Sequence, residues 1–305
     1  MKQYDLVILG AGPAGLTAAI YGCRAGLSVL VVEKETHGGQ IKLTDAIENW
    51  PGTPSINGFD LGENFYAHAR DTGAEFMSAS AGRVFSDDTR RRVETDAGEI
   101  LAKAVIVATG AHFSHLDIPG ETEFTGRGVS YCAVCDGPFF RGQEVAVIGG
   151  GNTALQEAAY LTGFADKVHL IHRRDEFRAG HHMIKKILAN KKIVPVMNTI
   201  ATAITGSNAG VETLHIKNIG TGRESTLTVP GIFIFVGTQP NSGFLENCLK
   251  TEPGGWISTD SQLATSLPGV FAAGDVRDTD LRQVITAAAD GARAAMNAYN
   301  FINAC

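Results

Sequence analysis

Short apolar runs alternate with a segment of helical composition near the start of the chain. Leu6–Leu9 is entirely apolar, Gly10 follows it, and residues of helical composition extend over Ala14–Ala25 before a second apolar run at Ser28–Val32. Uninterrupted apolar strands are typical of a parallel sheet that is buried on both faces. The pattern predicts a strand, a turn, a helix and a second parallel strand.

The same order of elements recurs about 140 residues later. The pattern predicts a strand over Glu144–Ile148, a turn at Gly149–Gly151, a helix over Thr153–Leu161 and a strand over Lys167–His172. A unit that appears twice favours two nucleotide-binding domains over one large sheet.

Each copy is followed by residues that predict antiparallel strands and then a buried returning strand. In the first half these are Val84–Ile100, with a turn at Ser86–Thr89, and Val105–Thr109; in the second half they are Gly210–Lys217, Ser225–Val229 and Ile232–Val236. Each half therefore combines a strand–helix–strand unit, a hairpin and a returning strand.

The last part of the chain contains a predicted strand, Val270–Ala273, and an Ala-rich predicted helix from Gln283 to Phe301. It has no glycine-rich nucleotide motif of its own, so we expect it to complete the first domain. The predicted fold class is α/β, with two Rossmann-like domains of the ββα-sandwich type, the second inserted into the first. The predicted boundaries are residues 1–112 with 241–305 for the first domain and 113–240 for the second.

The net charge and the apolar runs limit the classes of partner that the protein can bind. The 305 residues carry a formal charge of −6, whereas proteins that bind nucleic acid usually present a basic face. We see no basic, apolar and small-residue pattern of a secretion signal at the N-terminus, and no apolar run approaches the ~18 residues that cross a bilayer. We therefore expect a cytoplasmic protein that binds neither nucleic acid nor membranes.

The first glycine-rich turn, Gly10–Gly15, fits the pattern G-x-G-x-x-G between a strand and a helix. In this pattern Gly10 makes the turn, Gly12 lets the backbone approach a pyrophosphate, and Gly15 allows close packing. Glu33 ends the next strand at the spacing of an acid that binds a ribose hydroxyl. A purely structural turn is the alternative, and this context disfavours it.

The second turn, Gly149–Ala154, is the G-x-G-x-x-A form, and the same spacing from its first glycine leads to His172. Arg173 and Arg174 follow, and Arg178 lies further along. Arginine side chains bind a 2′-phosphate, which an acidic residue would repel. The residues predicted to bind NADPH are Gly149, Gly151, Asn152, Thr153, His172, Arg173, Arg174 and Arg178. A solvated basic face is the alternative for any one of these arginines.

Two dinucleotide sites indicate electron transfer in steps, with NADPH as the donor and a flavin as the usual two-electron acceptor.

The five cysteines are Cys23, Cys132, Cys135, Cys248 and Cys305. Their odd number is a poor disulfide framework, and Cys132 and Cys135 form the one close pair. A redox dithiol is favoured over zinc because no second C-x-x-C or C-x-x-H is present. Asp136 could act as the acid–base group of this dithiol, although a turn-forming role is equally compatible.

These motifs resemble the low-molecular-weight thioredoxin reductases over nearly the whole chain. The resemblance is carried by Gly10–Gly15, Gly38–Gln40, Glu48–Gly52, Ala108–Gly110, Cys132–Gly137, Gly149–Ala154, His172–Arg178, Gly269–Asp275 and Arg282–Gln283. The position of the C-x-x-C pair just before the second glycine-rich turn is its most specific feature. The sequence departs from the family at Val134, at Ala288–Gly291 and at His181–His182.

The resemblance implies a homodimer that passes electrons from NADPH through FAD and a Cys132–Cys135 disulfide to thioredoxin or a thioredoxin-like protein, without a metal. It implies that Cys135 faces the flavin, that Cys132 attacks the partner disulfide, that Asp136 is the acid–base group, and that the NADPH domain moves relative to the FAD domain. The implied FAD residues are Gly10, Gly12, Pro13, Ala14, Gly15, Glu33, Gly38, Gly39, Gln40, Asn49, Val84, Thr109, Gly110, Gly274, Asp275, Arg282, Gln283 and Val284.

Three other functions are compatible with parts of the pattern. A dithiol oxidase on the same scaffold has no need of the arginine cluster, and a ferredoxin– or flavodoxin–NADP reductase lacks the C-x-x-C pair. A nucleotide-binding redox sensor would reduce its disulfide once and stop, so turnover distinguishes it.

Overall fold

The structure is a computed structural model that describes residues 2–44, 46–86, 90–245 and 248–304. The chain divides into two compact units: unit 1 is Met1–His112 with Gln239–Cys305, and unit 2 is Phe113–Thr238. Part of the turn predicted at Ser86–Thr89 lies outside the described residues, as does Cys305.

The helices and strands alternate along most of the chain. The first part of the chain forms β1 (Lys2–Leu9), α1 (Pro13–Arg24), β2 (Val29–Glu33), a 3-10 helix (Gly39–Leu43), α2 (Gly58–Asp71), β3 (Glu75–Ser78), β4 (Ala81–Ser86), β5 (Arg91–Thr95), β6 (Gly98–Val107) and β7 (Ala111–Phe113). The middle forms β8 (Val129–Ser130), α3 (Ala133–Asp136), a 3-10 helix (Gly137–Phe140), β9 (Glu144–Ile148), α4 (Asn152–Leu161), β10 (Lys167–Ile171), α5 (His181–Ala189), β11 (Ile193–Val196), β12 (Thr199–Ser207), β13 (Gly210–Asn218), β14 (Glu224–Thr228), β15 (Gly231–Ile234) and β16 (Thr238–Pro240). The last part forms 3-10 helices (Gly243–Leu245 and Gly274–Val276), β17 (Val270–Ala272) and α6 (Val284–Asn303).

The main sheet of unit 1 has the strand order β3-β2-β1-β6-β5-β4, with β17 also paired to β6. The pairs that join β1, β2, β3, β6 and β17 are parallel, whereas β4, β5 and β6 pair in antiparallel fashion. The predicted division into an antiparallel strand ending at Ile100 and a separate strand at Val105–Thr109 is wrong, because β6 is continuous. One part of β6 pairs with β5, as at Ala102, and its end pairs with β17, as at Val105.

Both faces of the parallel part of this sheet are buried. Alternate residues of β1 enter different apolar clusters: Leu6 and Ile8 pack with residues of α1 and α6, and Val7 and Leu9 pack on the opposite face. Gly291 of α6 packs so closely on α1 that a Cβ there would overlap the backbone. The small residues of α6 therefore bring the two helices together over the sheet.

Unit 2 contains a parallel sheet of order β11-β10-β9-β15-β8 and an antiparallel sheet of order β12-β13-β14. The predicted hairpin is thus one strand short, since β12 pairs along β13. Val145 and Val147 of β9 pack with α4, whereas Ala146 and Ile148 pack with residues of the antiparallel sheet. A parallel sheet between helices and a second sheet is the α/β sandwich expected from the sequence, and the fold class is confirmed. None of the described helices is both long enough and apolar enough to cross a bilayer.

Candidate redox and nucleotide-binding sites

A disulfide joins Cys132 and Cys135 in a single helical turn that follows β8, with 5.3 Å between their Cα atoms. Cys132 precedes α3, and its Sγ accepts a hydrogen bond of 3.2 Å from the Cys135 N–H. The Cys132 N–H donates to Ser130 Oγ over 3.1 Å, and the Cys132 carbonyl accepts from the Asp136 N–H over 3.1 Å. Both cysteines are half-buried. The two sulfurs are therefore held by local backbone hydrogen bonds in a turn that remains partly open to solvent.

The buried carboxylate of Glu121 is hydrogen-bonded to the residue that precedes the redox turn. Glu121 is 2% exposed, and it accepts hydrogen bonds from the hydroxyl of Tyr131 (2.8 Å) and from the Leu116 N–H (3.0 Å). Burial by itself would raise the pKa of Glu121, but the hydrogen bonds from Leu116 and Tyr131 outweigh it and hold the pKa below its usual value. Glu121 therefore stays ionised, and its hydrogen bond holds Tyr131, the residue directly before Cys132.

Asp136 is the last residue of α3 and follows Cys135 directly. Its side chain is half-buried, as are those of the two cysteines. The structure therefore places Asp136 in the redox turn itself, and its assignment as the acid–base group remains a prediction.

The second glycine-rich turn connects β9 to α4, which begins at Asn152 after Gly151. Because Gly151 has no side chain, the first N–H groups of α4 have no capping side chain at this position. The backbone at Gly149 has a φ of +154°, and a Cβ there would overlap the Phe235 carbonyl and the Ala154 side chain. This geometry suits a turn that approaches a pyrophosphate closely.

The segment after β10 lies along this turn. The Arg178 N–H donates to the Gly150 carbonyl over 2.7 Å, and the Gly180 N–H donates to Asn152 Oδ1 over 3.0 Å. The imidazole ring of His172 packs against Gly150 so closely that a Cβ on Gly150 would overlap the ring. The structure therefore brings the predicted NADPH residues of both segments together.

The electrostatics of this site are set by His172 and the neighbouring arginines. His172 is 7% exposed, and its Nε2 atom is buried without a hydrogen-bond partner among the described residues. Burial, together with the charges of Arg174, Arg173 and Arg178, lowers the pKa of His172. The three arginine side chains are exposed, and the described residues include no ion pair to any of them. An anion could thus meet three available guanidinium groups here.

In unit 1, the first glycine-rich turn lies between β1 and α1, with Gly12 directly before the helix. The Glu33 carboxylate, at the end of β2, accepts hydrogen bonds from the Ala11 N–H (2.8 Å) and the Glu35 N–H (2.9 Å). Gly39 packs on this turn, since a Cβ at Gly39 would lie 3.1 Å from Gly12 Cα. The segment Gly38–Gln40, at the start of a 3-10 helix, therefore adjoins the predicted pyrophosphate site.

The start of α6 collects further residues of the predicted FAD site. Asn49 Nδ2 donates to Gln283 Oε1 over 2.9 Å, and Val284 is the first residue of α6. The Arg282 guanidinium stacks on the Trp256 ring, with 3.8 Å from Cζ to the ring centroid. The Arg282 Nε atom is buried and has no partner among the described residues. This donor is available to a ligand.

Asp275 and Gly274 lie just beyond β17, in the 3-10 helix that opens at Gly274. Burial raises the pKa of Asp275 to about 6, against the opposing charge of Arg282. Asp290 of α6 adds to this rise and is itself buried. Its Oδ2 atom accepts from the Gly274 N–H (3.2 Å) and from Arg277 Nε (2.7 Å). Asp290 is thus a support of the loop.

Of the remaining predicted FAD residues, Thr109 and Gly110 follow the end of β6, and Val84 lies within β4. The Thr109 hydroxyl donates to the Asn241 carbonyl over 2.7 Å, and Gly110 has a φ of +68°. Val84 is 1% exposed and packs in the core on one face of the sheet. Its backbone contact with FAD stays a prediction.

Sequence reasoning missed the supporting residues Gly150, Glu121 and Asp290. An acidic residue within an Ala-rich helix was the available signal for Asp290, whereas nothing local distinguished Glu121 from an exposed acid.

The departure at His181–His182 lies at the start of α5. Within the described part of the chain, His, Cys, Asp and Glu side chains form no group of three or more that could hold a metal ion.

Comparisons with known proteins identify the family of this chain. Residues 4–291 match the family model described as pyridine nucleotide-disulphide oxidoreductase. The thioredoxin reductase of Bacillus subtilis (strain 168) is 42% identical over 99% of this chain and 95% of its own length, and that of Treponema pallidum (strain Nichols) is 44% identical over 99% and 98%.

Among solved structures, too, the chain is similar to thioredoxin reductases. The thioredoxin reductase from Streptococcus pyogenes MGAS5005 has a TM-score of 0.97 at 41% identity, covering 99% of both chains. The thioredoxin reductase from Giardia duodenalis has a TM-score of 0.95 at 36% identity, covering 99% of this chain and 100% of its own. The resemblance predicted from the sequence is confirmed, and the chain belongs to the pyridine nucleotide-disulphide oxidoreductase family.

Proposed function

We propose that this protein is an NADPH-dependent, FAD-containing thioredoxin-disulfide reductase. In this function, electrons pass from NADPH through FAD and the Cys132–Cys135 disulfide to the disulfide of thioredoxin or a thioredoxin-like protein. The observation that carries the proposal is that unit 2 contains both the redox disulfide and the second glycine-rich turn. The disulfide lies in a partly exposed turn, and the glycine-rich turn is hydrogen-bonded to the segment that carries three exposed arginines.

The residues of unit 1 fit FAD. The N–H groups at the start of α1 would bind the pyrophosphate, and the Glu33 carboxylate, already placed on the turn by the Ala11 N–H, would bind the ribose hydroxyls of the adenosine. The buried Nε of Arg282 lacks a partner among the described residues and offers a donor to the cofactor. When bound, FAD supplies the two-electron chemistry between the nicotinamide and the disulfide.

The residues of unit 2 fit NADPH in preference to NADH. Arg173, Arg174 and Arg178 are exposed at the edge of the second glycine-rich turn, where they can form charge-assisted hydrogen bonds with a 2′-phosphate. The buried Nε2 of His172 has no partner among the described residues, so it is open to a hydrogen bond with the ligand. NADH lacks the 2′-phosphate and would gain nothing from the three arginines.

The disulfide would complete the transfer by thiol exchange. Two electrons and two protons convert the Cys132–Cys135 bond into two thiols. After Cys132 loses its proton, its thiolate attacks one sulfur of the partner disulfide; the partner S–S bond breaks, a mixed disulfide forms and the other partner sulfur leaves as a thiolate. Cys135 then attacks Cys132, the internal disulfide returns and the partner leaves as a dithiol. We assign the sulfur facing the flavin to Cys135 and the protons taken up and released to Asp136.

A decisive test combines anaerobic reduction with a partner. The flavin absorbance of the purified yellow protein should bleach with NADPH and much less with NADH, and it should return when oxidised thioredoxin is added. Repeated turnover excludes a sensor, and electron transfer from dithiols to O₂ without a need for NADPH would indicate a dithiol oxidase instead. Cys135→Ser should still accept electrons from NADPH but should not reduce thioredoxin. Retained thioredoxin reduction would contradict the role given to Cys135.

Homodimerisation and cytoplasmic location complete the proposal. Tyr21 and Met296 are large apolar side chains, 45% and 39% exposed, on α1 and α6 of unit 1. They favour a contact with a second copy of the chain. A molar mass near one chain at micromolar concentration, measured by light scattering, would contradict a homodimer.

A further inference from the structure

Tyr131, the residue directly before Cys132, is held by its hydroxyl group in a network of side chains within unit 2. The hydroxyl donates to Glu121 Oε1 over 2.8 Å, and it lies 2.9 Å from Nδ1 of His115. The Tyr131 ring also stacks on the ring of Phe113, with 5.2 Å between the ring centroids. The side chain of Tyr131 is therefore fixed at its tip as well as along its ring.

The direction of these hydrogen bonds follows from the buried carboxylate. Glu121 is 2% exposed, and its two oxygens both accept from the Leu116 N–H at 3.0 Å. An ionised carboxylate can only accept, so the single proton of the Tyr131 hydroxyl is directed at Glu121. His115 then donates its Nδ1 proton to the Tyr131 oxygen. The bond between Tyr131 and Glu121 is thus a charge-assisted hydrogen bond, the stronger kind.

A second anchor acts on the backbone next to Tyr131. Ser130 is 3% exposed, and its hydroxyl accepts from the Cys132 N–H over 3.1 Å and donates to the Cys132 carbonyl over 3.3 Å. Ser130 itself is held by the pairing of β8 with β15. The chain is therefore tied to the rest of unit 2 as far as Cys132, whose Sγ accepts the Cys135 N–H over 3.2 Å.

These anchors matter most once the disulfide has opened. In the oxidised protein the S–S bond keeps Cys132 beside the Cys135 N–H. In the dithiol this covalent bond is gone, and the position of Cys132 depends on the residues before it. A hydrogen bond to an ionised acceptor is roughly twice as strong as one to a neutral acceptor, so a Cys132 thiolate gains more from the Cys135 N–H than the disulfide sulfur does.

We propose that Glu121 is a positioning residue of the redox dithiol: through the Tyr131 hydroxyl it keeps Cys132 at the Cys135 N–H after the disulfide has opened, and it thereby stabilises the Cys132 thiolate. This inference deepens the proposed function and rests on it, because it concerns the same disulfide.

The direction of the effect follows from the balance of the reaction. The disulfide takes up two electrons and one proton, the S–S bond breaks, and one thiol and one thiolate form. A tether that supports the thiolate favours this reduced form and hardly changes the free energy of the disulfide. Loss of the tether should therefore move ionisation of the Cys132 thiol to higher pH. It should also move the equilibrium toward the disulfide, because a couple whose reduced form is less stable gives up its electrons more readily.

The charges around the redox turn do not change when the Tyr131 hydroxyl is removed. Burial and the hydrogen bond to Glu121 raise the pKa of Tyr131 above its usual value, so this side chain is neutral throughout the range in which thiols titrate. The other titratable side chains on the turn, on the helix packed against it and around Tyr131 are Asp136 of α3, Glu157 of α4, His115, Asp117 and Glu121. All of them are kept in Tyr131→Phe, so its effect reports the hydrogen bond and not a lost charge.

The test compares the FAD-loaded full chain with Tyr131→Phe, which keeps the ring and removes only the hydroxyl. Tyr160→Phe is the matched control, because Tyr160 is a tyrosine of the same unit that is 41% exposed. The reduced proteins are alkylated with iodoacetamide over a range of pH, and modification of Cys132 is followed by peptide mass spectrometry. The proteins are also equilibrated anaerobically with mixtures of reduced and oxidised glutathione, at a pH where Cys132 is ionised, and the dithiol fraction is measured.

Tyr131→Phe should move the Cys132 alkylation profile to higher pH by about half a unit, which is about threefold in the equilibrium, since only part of the lost hydrogen bond reaches the sulfur. The glutathione equilibrium should shift about threefold toward the disulfide, which corresponds to a potential about 14 mV more negative for a two-electron couple. Tyr160→Phe should match the wild type in both measurements. If the curves of Tyr131→Phe coincide with those of the wild type, the inference is overturned, even where the variant unfolds at a lower temperature, because the tether is then only structural.

Two further measurements separate this inference from others. A neutral amide binds the Tyr131 hydroxyl more weakly than a carboxylate does, so the shift caused by Tyr131→Phe should be about halved or less in a protein that already carries Glu121→Gln. A shift of unchanged size in that background would refute the role of Glu121. If the wild-type disulfide equilibrates with glutathione but is not reduced by NADPH, the proposed function fails, while the comparison of the variants still decides the role of Glu121.

Discussion

The imidazole ring of His172 lies directly on Gly150, so the middle glycine of the second glycine-rich turn has no room for a side chain. Backbone hydrogen bonds hold the histidine in place: its N–H donates to the Val196 carbonyl over 3.0 Å, and its carbonyl accepts from the Thr199 N–H over 2.9 Å. The backbone of His172 cannot shift without breaking these bonds to the ends of β11 and β12. The position of the turn and that of the predicted 2′-phosphate site are therefore coupled.

Gly150→Ala should weaken NADPH binding, because the new methyl group must displace His172 and the arginines that follow it. Overpacking of this kind costs about 1–3 kcal/mol, and even the lower value is about a fivefold loss of affinity. Titration of the oxidised protein with NADP⁺ measures the loss. The FAD content should be unchanged. Gly220→Ala is the control, since Gly220 is exposed and its Cβ would have ordinary contacts; equal affinities in both variants would contradict the coupling.

Removal of the exposed guanidinium groups should abolish the preference for NADPH over NADH. A hydrogen bond to a charged group contributes about 1.5–3 kcal/mol, so Arg173→Gln or Arg178→Gln should each lower kcat/KM for NADPH about 10- to 100-fold. The value for NADH should change little, and this serves as the internal control. A parallel fall for both nucleotides would show that the arginines support the fold of the site and do not read the phosphate.

Asp275 should make the protein less stable as the pH rises through the acidic range. Burial raises its folded-state pKa to about 6 from the ordinary 3.8, so the folded protein holds this proton more tightly than the unfolded chain. The resulting stabilisation is complete below pH 4 and is lost as the pH rises toward and past 6, by about 3 kcal/mol in total. Urea unfolding from pH 4 to pH 7 should show this decline in the wild type.

The variant Asp275→Asn supplies the comparison for that experiment, since it cannot titrate. The difference in unfolding free energy between it and the wild type should change across pH 4 to 6 and be constant above pH 7. A difference that is independent of pH over the whole range would mean that Asp275 titrates normally in the folded protein.

Loss of Asp290 should destabilise unit 1 and its hold on FAD. Asp290→Ala leaves Arg277 and the Gly274 N–H without the carboxylate they share, and breaking a buried pair in this way costs about 3–5 kcal/mol. The side chains are 11% and 16% exposed, which favours the lower end of that range. Thermal unfolding and the FAD content of the purified protein measure the effect. Asp280→Ala, at an exposed position near the same loop, should leave both unchanged.

The chemistry of this protein could be predicted from short stretches of sequence. The glycine-rich turns, the Cys132–Cys135 pair and the cluster of Arg173, Arg174 and Arg178 each depend on residues that are close in the chain, where spacing alone restricts what the backbone and side chains can do. The continuous apolar strands likewise predicted parallel sheets buried on both faces, because a strand covered on both sides has no polar face to display.

Contacts between distant segments were decided only by the tertiary structure. The single strand β6 changes partner from β5 to β17 along its length, and no local pattern distinguishes this from two strands. The hydrogen bond from the Gly274 N–H to Asp290, like the packing of His172 on Gly150, joins residues that lie apart in sequence. Local patterns record which face of an element is apolar, whereas the partner of a buried polar group depends on how whole elements pack.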